Sequence, residues 1–209
     1  MPDPTAPPTT RTGIPEIYVM RHGETEWNAV RRMQGGRDSP LTALGQAQAR
    51  AMGRCLSGRG VGPATHRLLC SPQGRAIETA RLAFGITPET DPRLREIAMG
   101  EWSGLDRAQI DARWPGPPGE HFIDFYARAP NGEGFASLWA RCADLLASLD
   151  GPAILVTHGM TSRVLRTIAT GGGRADLARL PGGQGVVFRV VQGRHDGFDA
   201  ALAAREPEG

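Results

Sequence analysis

Lysine is absent from this 209-residue chain, and all 24 basic residues are arginine. Against 22 acidic residues they leave a formal net charge of only +2, and no basic block is longer than the Arg31–Arg32 pair. Nucleic acid is therefore a poor partner, because affinity for a phosphate backbone needs many basic contacts. Arginine's planar fork suits bidentate recognition of phosphate or carboxylate, although a genome's composition explains the bias equally well. Cysteine is scarce: Cys55, Cys70 and Cys142 are odd in number and lack metal-like spacing, which fits reduced core thiols in a cytoplasmic protein. Long apolar runs are also missing, and nothing approaches the ~20 residues that span a bilayer. The opening MPDPTAPPTTRTGIP has no apolar h-region; residues 1–14 read as a disordered tail instead of a signal peptide, and residues 205–209 as a second tail. What remains is an ordinary globular balance, 40% apolar and 22% charged. It is enough for one domain over residues 15–204.

Glu16–His22 reads as a central strand. In TALGQAQARAMGRCLSGRG, Leu44, Ala47, Ala51, Cys55 and Leu56 recur at helical spacing, with Thr42 as N-cap and glycines closing the helix. RLLCS is a short strand ending at Ser71, and SPQGRAIETARLAF a helix with Ser71 as N-cap and Pro72 at its first position. That placement puts Arg75 in the first turn. A short extended piece is expected around Leu94–Ile97. An irregular, partly helical insertion or lid follows at about 102–134, with Trp114, Phe122, Phe125 and Tyr126 scattered through it. Phe135–Leu149 is an amphipathic helix, AILVTHG a strand, TSRVLRTIAT a helix, GVVFRVV a strand, and FDAALA a weak strand or helix end. Alternating strands and helices indicate a layered α/β domain with helices on both faces of the sheet.

Three strand ends carry unusual residues: Arg21 and His22, then Ser71 with Arg75, then His158. In an open α/β sheet, ligands bind outside the carboxyl ends of the strands. Parallel neighbours would bring two arginines and two histidines to one rim, a collection suited to an anion with several oxygens. Helix N-termini after Ser71 and His158 would add N–H donors. A single histidine after a strand is ordinarily a hydrogen-bonded loop residue; two His–Gly pairs that each end a strand are not so easily dismissed. Zinc is the rival chemistry, but His66, His121 and His195 lack ligand spacing to His22 or His158, and adjacent arginines would repel a cation. Gly23 would let the chain turn closely beneath the anion.

RHGETEWN resembles the signature of the histidine phosphatase superfamily, which includes the cofactor-dependent phosphoglycerate mutases. The likeness continues through RHGETEWNAVRRMQGGRDSPLTALGQAQA, SPQGRAIETA, LREIAMGEWSGL, PNGEGFASLWARC and VTHGMTSRVLR, covering most of Ile17 to Arg166. RHG alone would be a weak signal, whereas several blocks in the right order are a strong one. The resemblance implies a three-layer α/β/α sandwich with a mostly parallel, mixed sheet and a small capping insertion. It implies His22 as a nucleophile that becomes phosphorylated, with Arg21, Arg75 and His158 holding phosphoryl oxygens. Glu96 would be the general acid; Glu101 and Glu24 are the other acidic residues nearby, and only the match of LREI selects between them. Asn28, Gln34, Gly35, Gly159 and Met160 would line the substrate side, and Arg32 matches a family arginine of partly structural role.

The implied activity is metal-independent hydrolysis of a small phosphorylated metabolite, without cofactor and without nucleic-acid or membrane partners; a homodimer is left open. Histidine chemistry fits, since covalent catalysis divides one displacement into two, arginines stabilise charge on the transferring group, and a carboxyl group protonates the leaving oxygen. Three departures from the family pattern stand out. Gly74 replaces a bulkier residue and implies a looser helix start. Met160 stands where relatives often carry Gly, or Asn in the mutases. The stretch Trp102–Gly134 is short for a true mutase, which favours a phosphatase. A phosphoglycerate mutase and a non-catalytic phospholigand-binding protein are the alternatives.

Overall fold

The computed structural model describes residues 13–200. Among the described residues the sheet has six strands, in the order β3-β2-β4-β1-β5-β6. These are β1 (Ile17–Arg21), β2 (Arg67–Cys70), β3 (Glu89–Thr90), β4 (Ala153–Thr157), β5 (Val186–Val191) and β6 (Arg194–Asp199). The first four in that order are parallel, while β5 joins β1 antiparallel and β6 joins β5 antiparallel. The result is a three-layer α/β/α sandwich on a mixed, mostly parallel sheet. Strand periodicity divides the core in two. Ile17, Val19 and Leu155 face one apolar cluster, and Tyr18, Met20, Ile154 and Val156 face the other.

After the four-residue α1 (Glu26–Ala29), the second cluster is covered by α2 (Ala43–Ser57) and α3 (Gly74–Phe84). Thr42 caps α2 as expected, its hydroxyl accepting from Gly45 N at 3.0 Å. The inward face of α2 keeps Ala51, Cys55 and Leu56 of the expected stripe but not its start: Leu44 and Ala47 are exposed, and Gly45, Ala49, Met52 and Gly53 face inward as well. A pattern of apolar residues misses this because the contact is made by backbone. A Cβ on Gly45 would overlap the Glu24 carbonyl, and one on Gly53 the Ala83 carbonyl.

The first cluster is covered by α6 (Gly134–Ser148) and α7 (Gly159–Ala169). It also takes in the segment between Trp102 and Gly134, which contains α4 (Arg107–Arg113) and α5 (Phe122–Ala127). Asp106 caps α4 in a reciprocal arrangement with Gln109. Trp102 is fully buried against Phe125, ring centroids 4.6 Å apart, and Arg128 lies over the Trp102 ring while pairing with Glu120. The insertion is thus seated on the main core.

Other expectations need correction. Leu94–Ile97 forms no strand: a 3-10 turn occupies Pro92–Leu94, Arg95 after it is extended, and the edge strand falls earlier, at Glu89–Thr90. Asp91 ahead of Pro92 starts that turn by accepting from Arg93 N at 2.8 Å. The helix after His158 begins at Gly159, ahead of Thr161. Of FDAALA, Phe198 and Asp199 belong to β6 and the last three residues lie outside the described range, as do most of the expected tail at 1–14 and all of 205–209. The cysteines are buried and unpaired. Among the described residues no helix is long and apolar enough to cross a membrane.

Candidate active site

The strands that end in Arg21–His22, Ser71 and His158 are parallel neighbours, and their carboxyl ends form one rim. His22 N donates to Thr157 O at 2.9 Å, so the backbone at the end of β1 is tied to β4 beyond the last strand pair. The imidazole of His22 is buried. Its Nδ1 lies 2.7 Å from the Gly23 carbonyl, which can only accept; the proton therefore sits on Nδ1 and the lone pair on Nε2. Arg75 Nε donates to that Nε2 at 3.2 Å. Burial, then Arg21 and Arg75, push His22 well below the ordinary histidine range and keep it neutral.

Gly23 has a different task from the one expected. A Cβ there would overlap the Gly45 carbonyl, so the glycine lets α2 approach the end of β1, and Thr79 Oγ1 accepts its N–H at 3.1 Å. The close approach seen there is between two backbones.

Arg75 is buried and almost fully engaged. Nη1 donates to Asp38 Oδ1 at 2.8 Å and Arg37 O at 2.6 Å, and Nη2 donates to Gly35 O at 3.1 Å. Asp38 also accepts from Gly74 N and, at 3.3 Å, from Arg75 N. Ser71 does not cap α3, and Pro72 is not its first residue: the helix starts at Gly74, after an N-cap at Gln73 that makes no side-chain bond. Asp38 takes the capping role from a distant loop. Gly74 consequently gives a pinned helix start instead of a loose one, since a Cβ there would sit only 3.0 Å from Asp38 Oδ2. Gln73 turns inward, donating to Gly35 O at 2.9 Å and accepting from Glu96 N at 2.8 Å.

His158 is fully buried, with ring centroid 5.1 Å from that of His22. Its Nε2 lies 2.7 Å from Ser71 Oγ, whereas its buried Nδ1 has no partner among the described residues. Burial, then Arg75 and His22, hold this histidine neutral too. The buried Nε of Arg21 is likewise without a partner among the described residues.

The first turn of α7 does not offer the free donors that were expected. Met160 N and Thr161 N donate to the Glu96 carboxylate at 3.1 and 3.2 Å, and Ile97 N adds a third bond at 2.9 Å. Both helix starts at this rim are occupied by carboxylates, which are favoured there by the helix dipole.

Two cavities meet at the rim. The smaller, about 200 Å³, is lined by His22, Arg75, Arg32, Asn28, Gln34 and Gly35, among others. The larger, about 440 Å³, includes Gly159 and Met160 in its wall. Arg21, Glu96 and Tyr126 border both. Among the described residues Glu96 is the one carboxylate on either wall. Glu101 is bound instead to Asn131 Nδ2 at 2.8 Å, and Glu24 to Thr42 Oγ1 at 2.9 Å. Asn28 and Gln34 also knit the wall together, Asn28 Oδ1 accepting from Gln184 at 2.9 Å and Gln34 donating to Thr25 Oγ1 at 2.7 Å. Gly35, at φ +53, turns its carbonyl to Arg75. Every candidate from the sequence therefore reaches this rim except His158, which stands immediately behind it, facing Ser71 and His22.

Sequence reasoning missed Asp38, Tyr126, Arg163 and Arg166. Tyr126 sits in a weakly periodic segment where nothing distinguishes it from packing aromatics; burial, then Glu96, pushes its phenol up to about 12, so it remains a protonated donor. Among the described residues no group of three or more His, Cys, Asp or Glu could hold a metal ion.

The family pattern "Histidine phosphatase superfamily (branch 1)" matches residues 17–204. The chain is 39% identical over 164 residues to a Yersinia pestis protein named "Probable phosphoglycerate mutase GpmB", covering 69% of this chain and 70% of that one. Among solved structures, a mycobacterial glucosyl-3-phosphoglycerate phosphatase in complex with VO3 superposes with a TM-score of 0.70 at 31% identity, covering 84% of this chain and 92% of its own. The Thermus thermophilus protein TTHB049 gives 0.66 at 34% identity, covering 86% and 95%. With the match running through every strand and helix from β1 to β6, the chain belongs to the histidine phosphatase superfamily, branch 1, and is a phosphomonoesterase.

Proposed function

We propose that the protein hydrolyses a small phosphomonoester through a phosphohistidine on His22, without a metal. One observation carries this reading above the others: the neutral His22 lines a cavity walled by Arg21 and Arg75, with Gly23 O holding its Nδ1 proton and Arg75 Nε donating to its Nε2. Nε2 attacks phosphorus and the bond to the ester oxygen breaks. Arg75 Nε leaves Nε2 and joins Arg21 on the phosphoryl oxygens, and His158 supports them. Glu96 takes up a proton as the dianionic phosphoester binds beside it and gives that proton to the departing alkoxide. The Gly23 carbonyl stabilises the positive charge then left on the imidazole. Water attacks the phosphohistidine next, Glu96 takes its proton, the P–N bond breaks, and inorganic phosphate leaves with His22 neutral again.

Acid-sensitive trapping tests the assignment. After reaction with p-nitrophenyl phosphate in excess chelator, rapidly quenched protein is expected to carry an acid-labile, base-stable phosphoryl group on His22. His22→Ala should carry none and lose at least ~10⁴-fold in kcat, as removal of a nucleophile does elsewhere. An adduct on His158 or a cysteine, or activity abolished by chelation and restored by Zn²⁺ or Mg²⁺, would refute it.

The relative named as a phosphoglycerate mutase supports a second reading, in which the phosphoryl group returns to the same carbon skeleton instead of passing to water. The short insertion between Trp102 and Gly134 favours hydrolysis. Release of inorganic phosphate, scored beside isomerisation of 3-phosphoglycerate, separates the two.

A further inference from the structure

The larger cavity carries charge that the hydrolytic reading leaves unused. Arg21, Arg163 and Arg166 face it against a single carboxylate, Glu96, whose oxygens already accept from Ile97, Met160 and Thr161. Arg166 is 1% exposed, yet every acceptor it reaches is neutral: Ser162 O and Oγ, His195 Nε2 and Pro181 O. It lies 3.8 Å over the ring of Phe188. Arg163 gives Nη1 to the carbonyls of Leu177 and Leu180, while its Nε and Nη2 find no acceptor among the described residues. The loop before β5 packs against this guanidinium at Gly182, where a Cβ would fall 2.7 Å from Arg163 Nη2. Neither arginine forms an ion pair with a described carboxylate. Burial lowers both, Arg166 to about 9, with Arg163 adding repulsion there and Arg21 adding it at Arg163.

Cations withdrawn from water are ordinarily paired. A structural pair would have been satisfied from within the chain, as Arg75 is by Asp38 and Arg141 is by Glu133. We infer that the larger cavity is an anion subsite for the leaving group: the substrate's alcohol bears a second anionic group, a carboxylate or a phosphate, held by Arg163 with Arg166 behind it. The carbon body lies between Phe122 and Tyr126 of α5 and Phe188 of β5. The volume, about 440 Å³, admits such a group and falls within the range of small-molecule sites. This inference rests on the hydrolytic reading, since it takes the smaller cavity as the phosphoryl site.

Three substrates of one carbon skeleton test it: glycerol 1-phosphate, 3-phosphoglycerate and propane-1,3-diol bisphosphate, with p-nitrophenyl phosphate as a report on phosphoryl transfer alone. The wild-type protein should favour one or both anionic substrates over glycerol 1-phosphate by about 30-fold or more in kcat/KM, the scale of a charge-assisted contact. Whichever is favoured distinguishes carboxylate from phosphate. Arg163→Met should bring that ratio down at least tenfold, and Arg163→Lys should restore part of it. A wild-type ratio within threefold of one, alongside turnover of p-nitrophenyl phosphate, would overturn the subsite and leave the hydrolytic reading standing; it needs no variant to fold. An unchanged ratio in a folded Arg163→Met would overturn it as well. No turnover of any of the four would remove both readings together.

Discussion

The two cavities share Arg21, Glu96 and Tyr126 but are built in opposite ways. The smaller one stands on strand ends locked by the sheet, and its polar groups are largely satisfied by the protein: His22 by Gly23, Arg75 by Asp38, Arg37 and Gly35. The larger one stands on the inserted α5, the first turns of α7 and the glycine loop before β5, and its arginines lack counterions among the described residues. Rigidity belongs where a phosphoryl group must be held in line with a nucleophile, because small misplacements cost orders of magnitude in rate. In the proposed reading the larger, outer cavity meets the part of the substrate that differs between relatives of one fold, and the smaller, inner one holds the phosphoryl group. One half of the rim is suited to chemistry and the other to choice.

Glu96 stands on the shared wall, so its replacement probes the comparison most severely. Glu96→Gln keeps size and hydrogen bonding but delivers no proton, and it should cost about 10²–10⁴-fold in kcat on an alkyl phosphate. The phosphorylation burst with p-nitrophenyl phosphate should fall much less, because nitrophenolate leaves with little help. Equal losses on both substrates would make Glu96 part of the binding wall only. Glu101→Gln, held by Asn131 away from both cavities, serves as the control.

The contrast between the cavities is also a contrast in what the sequence discloses. Arg21, His22, Arg75 and His158 are legible because each follows an apolar strand, and parallel neighbours must bring their ends together. Thr42 as the α2 cap and the alternation that divides Ile17 and Val19 from Tyr18 and Met20 follow from local rules as well. Asp38 is not legible in this way. Its partners, Gly74 and Arg75, lie 36 and 37 residues away, and no periodicity links a loop carboxylate to the helix it caps. Ser71 was the natural cap by local rule, but its hydroxyl is drawn to His158. Leu44 looked inward by its apolarity, yet Gly45 and Gly53 set the face of α2 because backbone approach outweighs side-chain pattern there. Tyr126, Arg163 and Arg166 acquire meaning only once the insertion is folded over α7.

Asp38 offers a smaller effect that sharpens the same contrast. It fixes Arg75 and the start of α3 together, so it acts through positioning. Asp38→Asn should lower kcat by about 10- to 100-fold, the scale of one or two hydrogen bonds to a charged group. The loss should be the same for neutral and anionic leaving groups, because the outer cavity is untouched. A loss confined to KM for anionic substrates would contradict the division of labour.

The smallest effect is thermodynamic and reads the electrostatics of the inner cavity directly. His22 and His158 are both held well below the usual histidine pKa in the folded protein, chiefly by burial and then by the neighbouring arginines. In the unfolded chain both titrate near 6.5. Below that pH the unfolded state takes up protons that the native state refuses, so stability is full above about pH 6.5 and declines as the pH falls toward the lowered native pKa values. Each histidine contributes a slope of up to about 1.4 kcal/mol per pH unit in that window. His195, lowered by burial and Arg166, adds in the same direction, whereas carboxylates such as Asp91, held low by Arg93, lose their contribution only under more acidic conditions. Urea unfolding between pH 7 and pH 5 should therefore show a steep acid limb, and His22→Asn should reduce its slope by about one proton. A limb unchanged by His22→Asn would mean that His22 takes up a proton in the folded protein, and the neutral nucleophile between two arginines would have to be abandoned.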